Sequence, residues 1–208
     1  MGIRTKLCNL FKRRCVQKDY VRLLRRSQSE CQRDGKTTMD VGIHRERDLI
    51  AVLCKYMGRE NVIWNIPNDL SADVIVKDTP FSIKHKMPSK HSESISAFKV
   101  KWTSNAEVAR QHVSQCLSNE WEEYIIVSEI YPKQITMYFI SPLQINKAIK
   151  LFRENAFKPV SQTSNGRGIE FSESTLNLLK YGSMIVSFKA DVFSGLNDPI
   201  EERLLEIT

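Results

Sequence analysis

Long apolar runs are absent from these 208 residues. No stretch approaches the roughly eighteen consecutive apolar residues of a bilayer-spanning helix, so no membrane association is expected. Cysteine patterning is absent too. Cys8, Cys15, Cys31, Cys54 and Cys116 are odd in number and form neither a CxxC nor a Cys/His spacing, which argues against a disulfide framework or a zinc site. They read as buried or idle thiols of a reducing compartment. His44, His85, His91 and His112 are scattered and read as surface or internally satisfied residues. Internal repeats and low-complexity blocks are missing. The N-terminal MGIRTKLCNLFKRR lacks the continuous apolar stretch of a signal peptide, and Lys6 stands where N-myristoylation needs Ser or Thr. The chain is expected to be untargeted and cytoplasmic.

What is present is an uneven charge. Residues 1 to 36 hold eleven Lys/Arg against Asp19, Glu30 and Asp34, a net +8, whereas residues 37 to 208 carry −1. A basic segment of this kind, with Arg13 and Arg14 at its centre, suits a polyanion, because neutralised phosphates release counterions. A solvated helix face accounts for it equally.

The pattern of residues predicts one α/β domain with a central mixed β-sheet flanked by helices on both faces. Residues 1–36 form a helical basic extension, 40–156 a core, and 157–208 a C-terminal extension. Residues 4 to 33 are expected to be helical, as two segments. A second helix runs from about Ile43 to Tyr56 and stops near Gly58. Val62–Ile66, Ala72–Val76 and Phe81–Lys86 read as strands, the last two joined by a turn through Asp78-Thr79-Pro80. Ser104-x-x-Glu107 has the capping-box form ahead of another helix. Glu123 to Ser128 and Gln134 to Ile140 are strands, and Pro142 opens a helix to about Ala156. A helix around Ser174–Tyr181 and a strand through Met184–Lys189 close the chain.

Chemistry gathers on the stretch ADVIVKDTPFSIKHK, residues 72 to 86. Asp73 heads one strand, and Ser82 and Lys84 point to one face of its hairpin partner, with Ile83 turned to the other. Phosphodiester hydrolysis by a hard divalent cation needs oxygen ligands, an activated water and a positive charge. Asp73 and the backbone carbonyl of Ile83 can be ligands, and Lys84 the charge. Upstream, Ile43, Ile50, Leu53 and Met57 define the buried stripe of the second helix, and Glu46 falls on it, whereas Arg45, Arg47 and Asp48 fall outside it. An inward carboxylate is costly unless paired or bound to metal, so Glu46 is either a salt-bridge or dipole-complementing residue or a ligand.

The pattern Gly42-x-x-x-Glu46-Arg47-Asp48-Leu49, then Ala72-Asp73-Val74-Ile75-Val76, then Ser82-Ile83-Lys84, resembles the PD-(D/E)XK nuclease superfamily. The resemblance implies that Glu46 and Asp73 hold Mg²⁺, that Mn²⁺ or Ca²⁺ can substitute for binding, and that Lys84 assists the attacking group. It departs at Ala72, where the motif has proline, and at Ser82, which stands where an acid is usual and is left a supporting role. Several restriction enzymes of the superfamily share that serine and take a glutamate from a helix. The core also resembles archaeal Holliday-junction resolvases, but the extensions suit a small type II restriction endonuclease. Such an enzyme implies double-stranded DNA and, for a palindrome, a homodimer. A structure-specific nuclease and a non-catalytic nucleic-acid-binding module are the alternatives. Candidate DNA contacts are Arg167 with Asn165 beside it, which either reads guanine in a groove or sits in an exposed turn. Lys86, Lys90, Lys99 and Lys101 are either phosphate contacts or a solvated basic loop.

Overall fold

The computed structural model describes residues 1–35, 38–64, 72–87, 99–101, 103–159 and 168–193, with the side chains of 38–40 left aside. Helices α1 (Ile3–Phe11) and α2 (Arg14–Arg33) open the chain. Buried positions on α2 are Val16, Tyr20, Leu24, Ser27 and Cys31, a spacing of three and four that lays one side of the helix against the molecule. The arginines therefore occupy the outer side, while Leu7, Phe11 and Leu24 share a core with the sheet.

Helix α3 (Thr38–Met57) begins five residues before the predicted start and ends at Gly58, whose φ of 90° favours glycine. Its buried stripe also differs from expectation. Ile43 is 45% exposed, whereas Arg45 and Asp48, predicted to be surface residues, are only 7% and 8% exposed. The cause is a polar contact with α2: Arg45 donates to Gln28 Oε1 at 2.7 Å, and Ser27 hydrogen-bonds Asp48. Apolar periodicity locates a stripe only where the facing surface is apolar, and here part of it is not.

Burial pushes the Asp48 carboxyl up to about 7, with the Ser27 hydrogen bond and the Arg45 and Arg26 charges opposing. Its folded value thus stands above its unfolded one, and the native state binds the proton more tightly. Asp48's contribution to stability is complete below about pH 4 and is lost as pH rises through 7. Asp48→Asn, followed by thermal or urea unfolding, should therefore gain on the wild type by about 1 kcal/mol per pH unit between roughly pH 5 and 7.

Strands β1 (Val62–Ile63), β2 (Val74–Val76) and β3 (Thr79–Lys86) form an antiparallel edge. The predicted strand end at Asn65 and Ile66 lies outside the described residues. The β2–β3 turn is two residues, Lys77 and Asp78, with φ of 48° and 62°, and pairs Val76 with Thr79. Thr79 and Pro80 thus belong to β3 and not to the turn, because two positive φ values match the strand twist.

Strand β4 (Lys99–Lys101) is followed by helix α4 (Ala106–Ser118). Asn105, not Ser104, caps α4, its side chain accepting from Val108 N–H at 2.9 Å. Strand β5 (Tyr124–Tyr131) runs parallel to β3, and β6 (Gln134–Ile140) antiparallel to β5. Helix α5 (Pro142–Phe152) starts from a Ser141/Gln144 capping box and tightens into a 3₁₀ turn over Arg153–Ala156, so it is shorter than predicted. An unforeseen strand β7 (Ile169–Glu170) pairs with β4, then come helix α6 (Glu173–Gly182) and strand β8 (Met184–Lys189). A partner so distant in sequence, in a strand of two residues, leaves no local periodicity to read.

The six-stranded order is β1-β2-β3-β5-β6-β8, a mixed sheet as predicted. Its two faces bury separate cores. Phe81, Ile83 and Ile126 face α1, α2 and α3. Ile125 and Val127 face the other way, with Ala148 and Ile149 of α5 and Leu176 and Leu179 of α6.

Candidate active site

Asp73 precedes β2 by one residue, and its N–H donates to the Phe81 carbonyl at 2.9 Å, which locks it opposite β3. From there its Oδ2 accepts three hydrogen bonds, from Ser82 Oγ at 3.0 Å, Ile83 N–H at 2.5 Å and Lys84 Nζ at 3.2 Å. The hairpin thus delivers three of the residues singled out in the sequence onto one oxygen. Ser82 is buried at 3% exposure, so its hydroxyl is a fixed donor that orients Asp73.

The N–H and C=O of one strand residue point to the same side. Because the Ile83 N–H reaches Asp73, its carbonyl faces the same edge, away from β5. That orientation agrees with the expected backbone ligand.

Glu46 lies within electrostatic reach of both Asp73 and Lys84. Burial pushes its carboxyl up to about 7, the Asp73 charge adds to this, and the Lys84 and Arg47 charges oppose it. Two carboxylates that repel one another, with Lys84 acting on both, form a hard-oxygen donor set whose repulsion a divalent cation relieves. Among the described residues no three His, Cys, Asp or Glu side chains form a ready metal cage. Mg²⁺ does not need one, since it keeps waters and substrate phosphate in its shell. The residues present therefore fit Mg²⁺ held by Asp73, Glu46 and the Ile83 carbonyl.

Asp73 and Lys84 open into a cleft of about 450 Å³ between the sheet and α4. Lys101 and His112 line it, as does Glu123, which the sequence reasoning did not single out as a site residue. Glu123 has no motif spacing from Asp73; its only signal was its place at the head of the β5 strand. Burial and the Asp73 charge push its carboxyl up, while Lys84 and Lys101 oppose.

The other predicted contacts are dispersed. Lys101 is exposed in the cleft, whereas Lys86 and Lys99 are half-buried around Glu170, which also pairs with Lys158 at 3.5 Å. Burial lowers both lysines' pKa, with the Glu170 charge opposing. Arg13 stacks over Tyr56 at 5.5 Å, and Arg14 is exposed beside it at the α1–α2 junction, on the sheet face opposite the cleft. Lys90, Asn165 and Arg167 lie outside the described residues. His85, next to Lys84, turns into the α2 face and bonds Tyr20 at 2.9 Å. Burial, with the Arg45 and Lys84 charges, holds its pKa down at about 3, so it is neutral.

Comparison with known proteins decides the family. The family model described as "Restriction endonuclease ThaI" matches residues 10–193. The chain belongs to the ThaI restriction endonuclease family. A solved structure described as a restriction endonuclease in complex with substrate DNA also resembles this ThaI-family chain, with a TM-score of 0.74 and 25% identity over 90% of each chain. No curated protein matches it significantly. The family match begins within α1 and takes in α2, so it includes most of the basic segment. The chain is accordingly a type II restriction endonuclease, a DNA-cleaving hydrolase with a mixed-sheet core. Among the described residues no helix is long and apolar enough to cross a membrane.

Proposed function

We propose that this ThaI-family endonuclease hydrolyses double-stranded DNA at a short specific sequence, with Mg²⁺ held by Asp73, Glu46 and the Ile83 carbonyl, and that it acts as a homodimer. The observation that carries the reading is the convergence of Ser82, Ile83 and Lys84 on one Asp73 oxygen, in a chain of this family. A bound Mg²⁺ supplies charge neutralisation at the scissile phosphate and activation of water. The protein's own contribution is positional. Ser82 and the Ile83 N–H hold the Asp73 carboxylate in one orientation, and β3 sets Lys84 beside it, where its ammonium balances the negative charge that develops on the phosphate. Glu46, brought by α3, is ionised when it acts as a ligand. Lys101 in the same cleft offers a phosphate contact, which positions without specifying.

The resembling structure holds substrate DNA, which supports duplex DNA as the partner here. A homodimer is expected if the target is a palindrome, since two-fold protein symmetry then matches the site. The test is incubation with plasmid DNA and, separately, with a synthetic four-way junction. Discrete plasmid fragments that form with Mg²⁺, and vanish with excess chelator, are expected. Cleavage of the junction irrespective of sequence, or binding without cleavage, contradicts the proposal.

A further inference from the structure

Ser82 leaves the catalytic face of β3 short of one acid, and the fold places another acid close by. Ser82 pairs with Ile125 and Lys84 with Val127 across the parallel β3–β5 ladder. Paired residues of neighbouring strands share a face, and alternate residues return to it. Continuing that alternation one residue upstream of β5 puts Glu123 on the Ser82–Lys84 face, as the diagonal neighbour of Ser82. The cleft confirms the placement, since Asp73, Lys84 and Glu123 line it together. Glu46 approaches from α3, on the opposite face of the sheet, and is not among the cleft's lining residues.

We propose that Glu123 is a further cation-holding carboxylate of the catalytic site, which supplies on the cleft side the acid that position 82 lacks. This rests on the reading of the chain as a Mg²⁺-dependent nuclease. Asp73 is then flanked by two acids, Glu46 from the helical layer of one face and Glu123, one residue before β5, from the other. The charges of Asp73 and Lys84 both act on Glu123, as they do on Glu46, which places all four groups in one electrostatic set. Lys101 at the cleft edge faces the same carboxylate and balances it when no cation is present. A hard cation between Asp73 and Glu123 lies within the solvent-filled cleft, where a phosphate can also reach it.

Trp121 lines the same cleft and provides a direct readout. Tb³⁺, an oxygen-seeking probe for divalent sites, is titrated into the full chain and its emission is excited through tryptophan. Saturable emission is expected from the wild type, with Tb³⁺ affinity reduced at least about tenfold in Glu123→Gln. Glu123→Asp should keep part of the affinity. Glu107→Gln, an exposed acid paired with Arg110 on α4, should keep all of it. In the plasmid assay Glu123→Gln should raise the Mg²⁺ concentration for half-maximal cleavage by a similar factor. A wild type without saturable emission, or a Glu123→Gln chain equal to it in both measurements, overturns the inference. If the wild type cuts DNA with Mg²⁺ while Glu123→Gln is unchanged, only this inference fails. If the wild type cuts nothing, the nuclease reading itself fails.

Discussion

Replacing Asp73 with asparagine should leave the β2–β3 hairpin folded and slow DNA cleavage by about a thousandfold or more, equivalent to some 4 kcal/mol of barrier. The amide oxygen can still accept from the Ile83 N–H, so the 2.5 Å contact that joins Asp73 to β3 has a successor. The charge has none. Lys84 loses its ion pair, and a divalent cation loses a carboxylate ligand. Asp73→Ala removes the acceptor for all three donors and should be as inactive and somewhat less stable, since buried Ser82 is left without that partner. Lys84→Ala should also abolish turnover while leaving the carboxylate in place. Because the phosphate contact proposed for Lys101 does not depend on Asp73 or Lys84, DNA binding measured by gel shift in Ca²⁺ should change only a few-fold in each variant. Single-turnover cleavage rates are the check. Asp73→Asn activity above about a tenth of wild type would remove this residue from the mechanism.

Glu46→Gln should reduce cleavage by about a hundredfold or more, and it carries a pH signature. A carboxyl lifted to about 7 must shed its proton before it can hold a cation. At a fixed, limiting Mg²⁺ concentration, wild-type cleavage should therefore fall by up to about tenfold for each pH unit below 7. The sign follows from competition: acid favours the protonated carboxyl, and added metal favours the ionised one. Raising Mg²⁺ should accordingly move the midpoint of the profile to lower pH. Glu46→Gln has no proton to exchange at this position, so its profile should depend less on Mg²⁺ than that of the wild type. If Glu46→Gln is fully active, the missing acid at position 82 is made good elsewhere, with Glu123 as the remaining carboxylate beside Asp73.

Much of the Asp73–Lys84 hairpin was legible because its determinants are local. Ser82, Ile83 and Lys84 lie on β3 and Asp73 lies one residue before its neighbour β2, and strand alternation alone predicts which of the β3 residues share a face. The mixed sheet and the two helical layers followed from long periodic segments such as α2 and α5. Failures came where the deciding contact was distant or polar. Arg45 and Asp48 look like solvent residues until α2 brings Gln28 and Ser27 against them. Glu46 was found on a stripe that proved to be rotated: Ile50 and Leu53 are buried as expected, but Ile43 is exposed. Glu46 itself is partly buried, four residues before buried Ile50. Glu123 escaped notice because parallel pairing of β5 with β3 spans about forty residues, and no spacing rule connects its position with Asp73. Lys86 and Lys99 read as phosphate contacts or a solvated basic loop, and the pairing of β4 with β7 gathers them around buried Glu170.

The central claim is that Asp73 and Lys84 form the cutting site of a sequence-specific endonuclease. Its most direct test is digestion of a plasmid of known sequence with Mg²⁺, followed by sequencing of every fragment end, for the wild type and for Lys84→Ala side by side. Wild-type ends that all fall at one short sequence, with an intact plasmid in the Lys84→Ala lane, are the predicted result. Ends scattered without a shared sequence, or the same fragments from Lys84→Ala, contradict it.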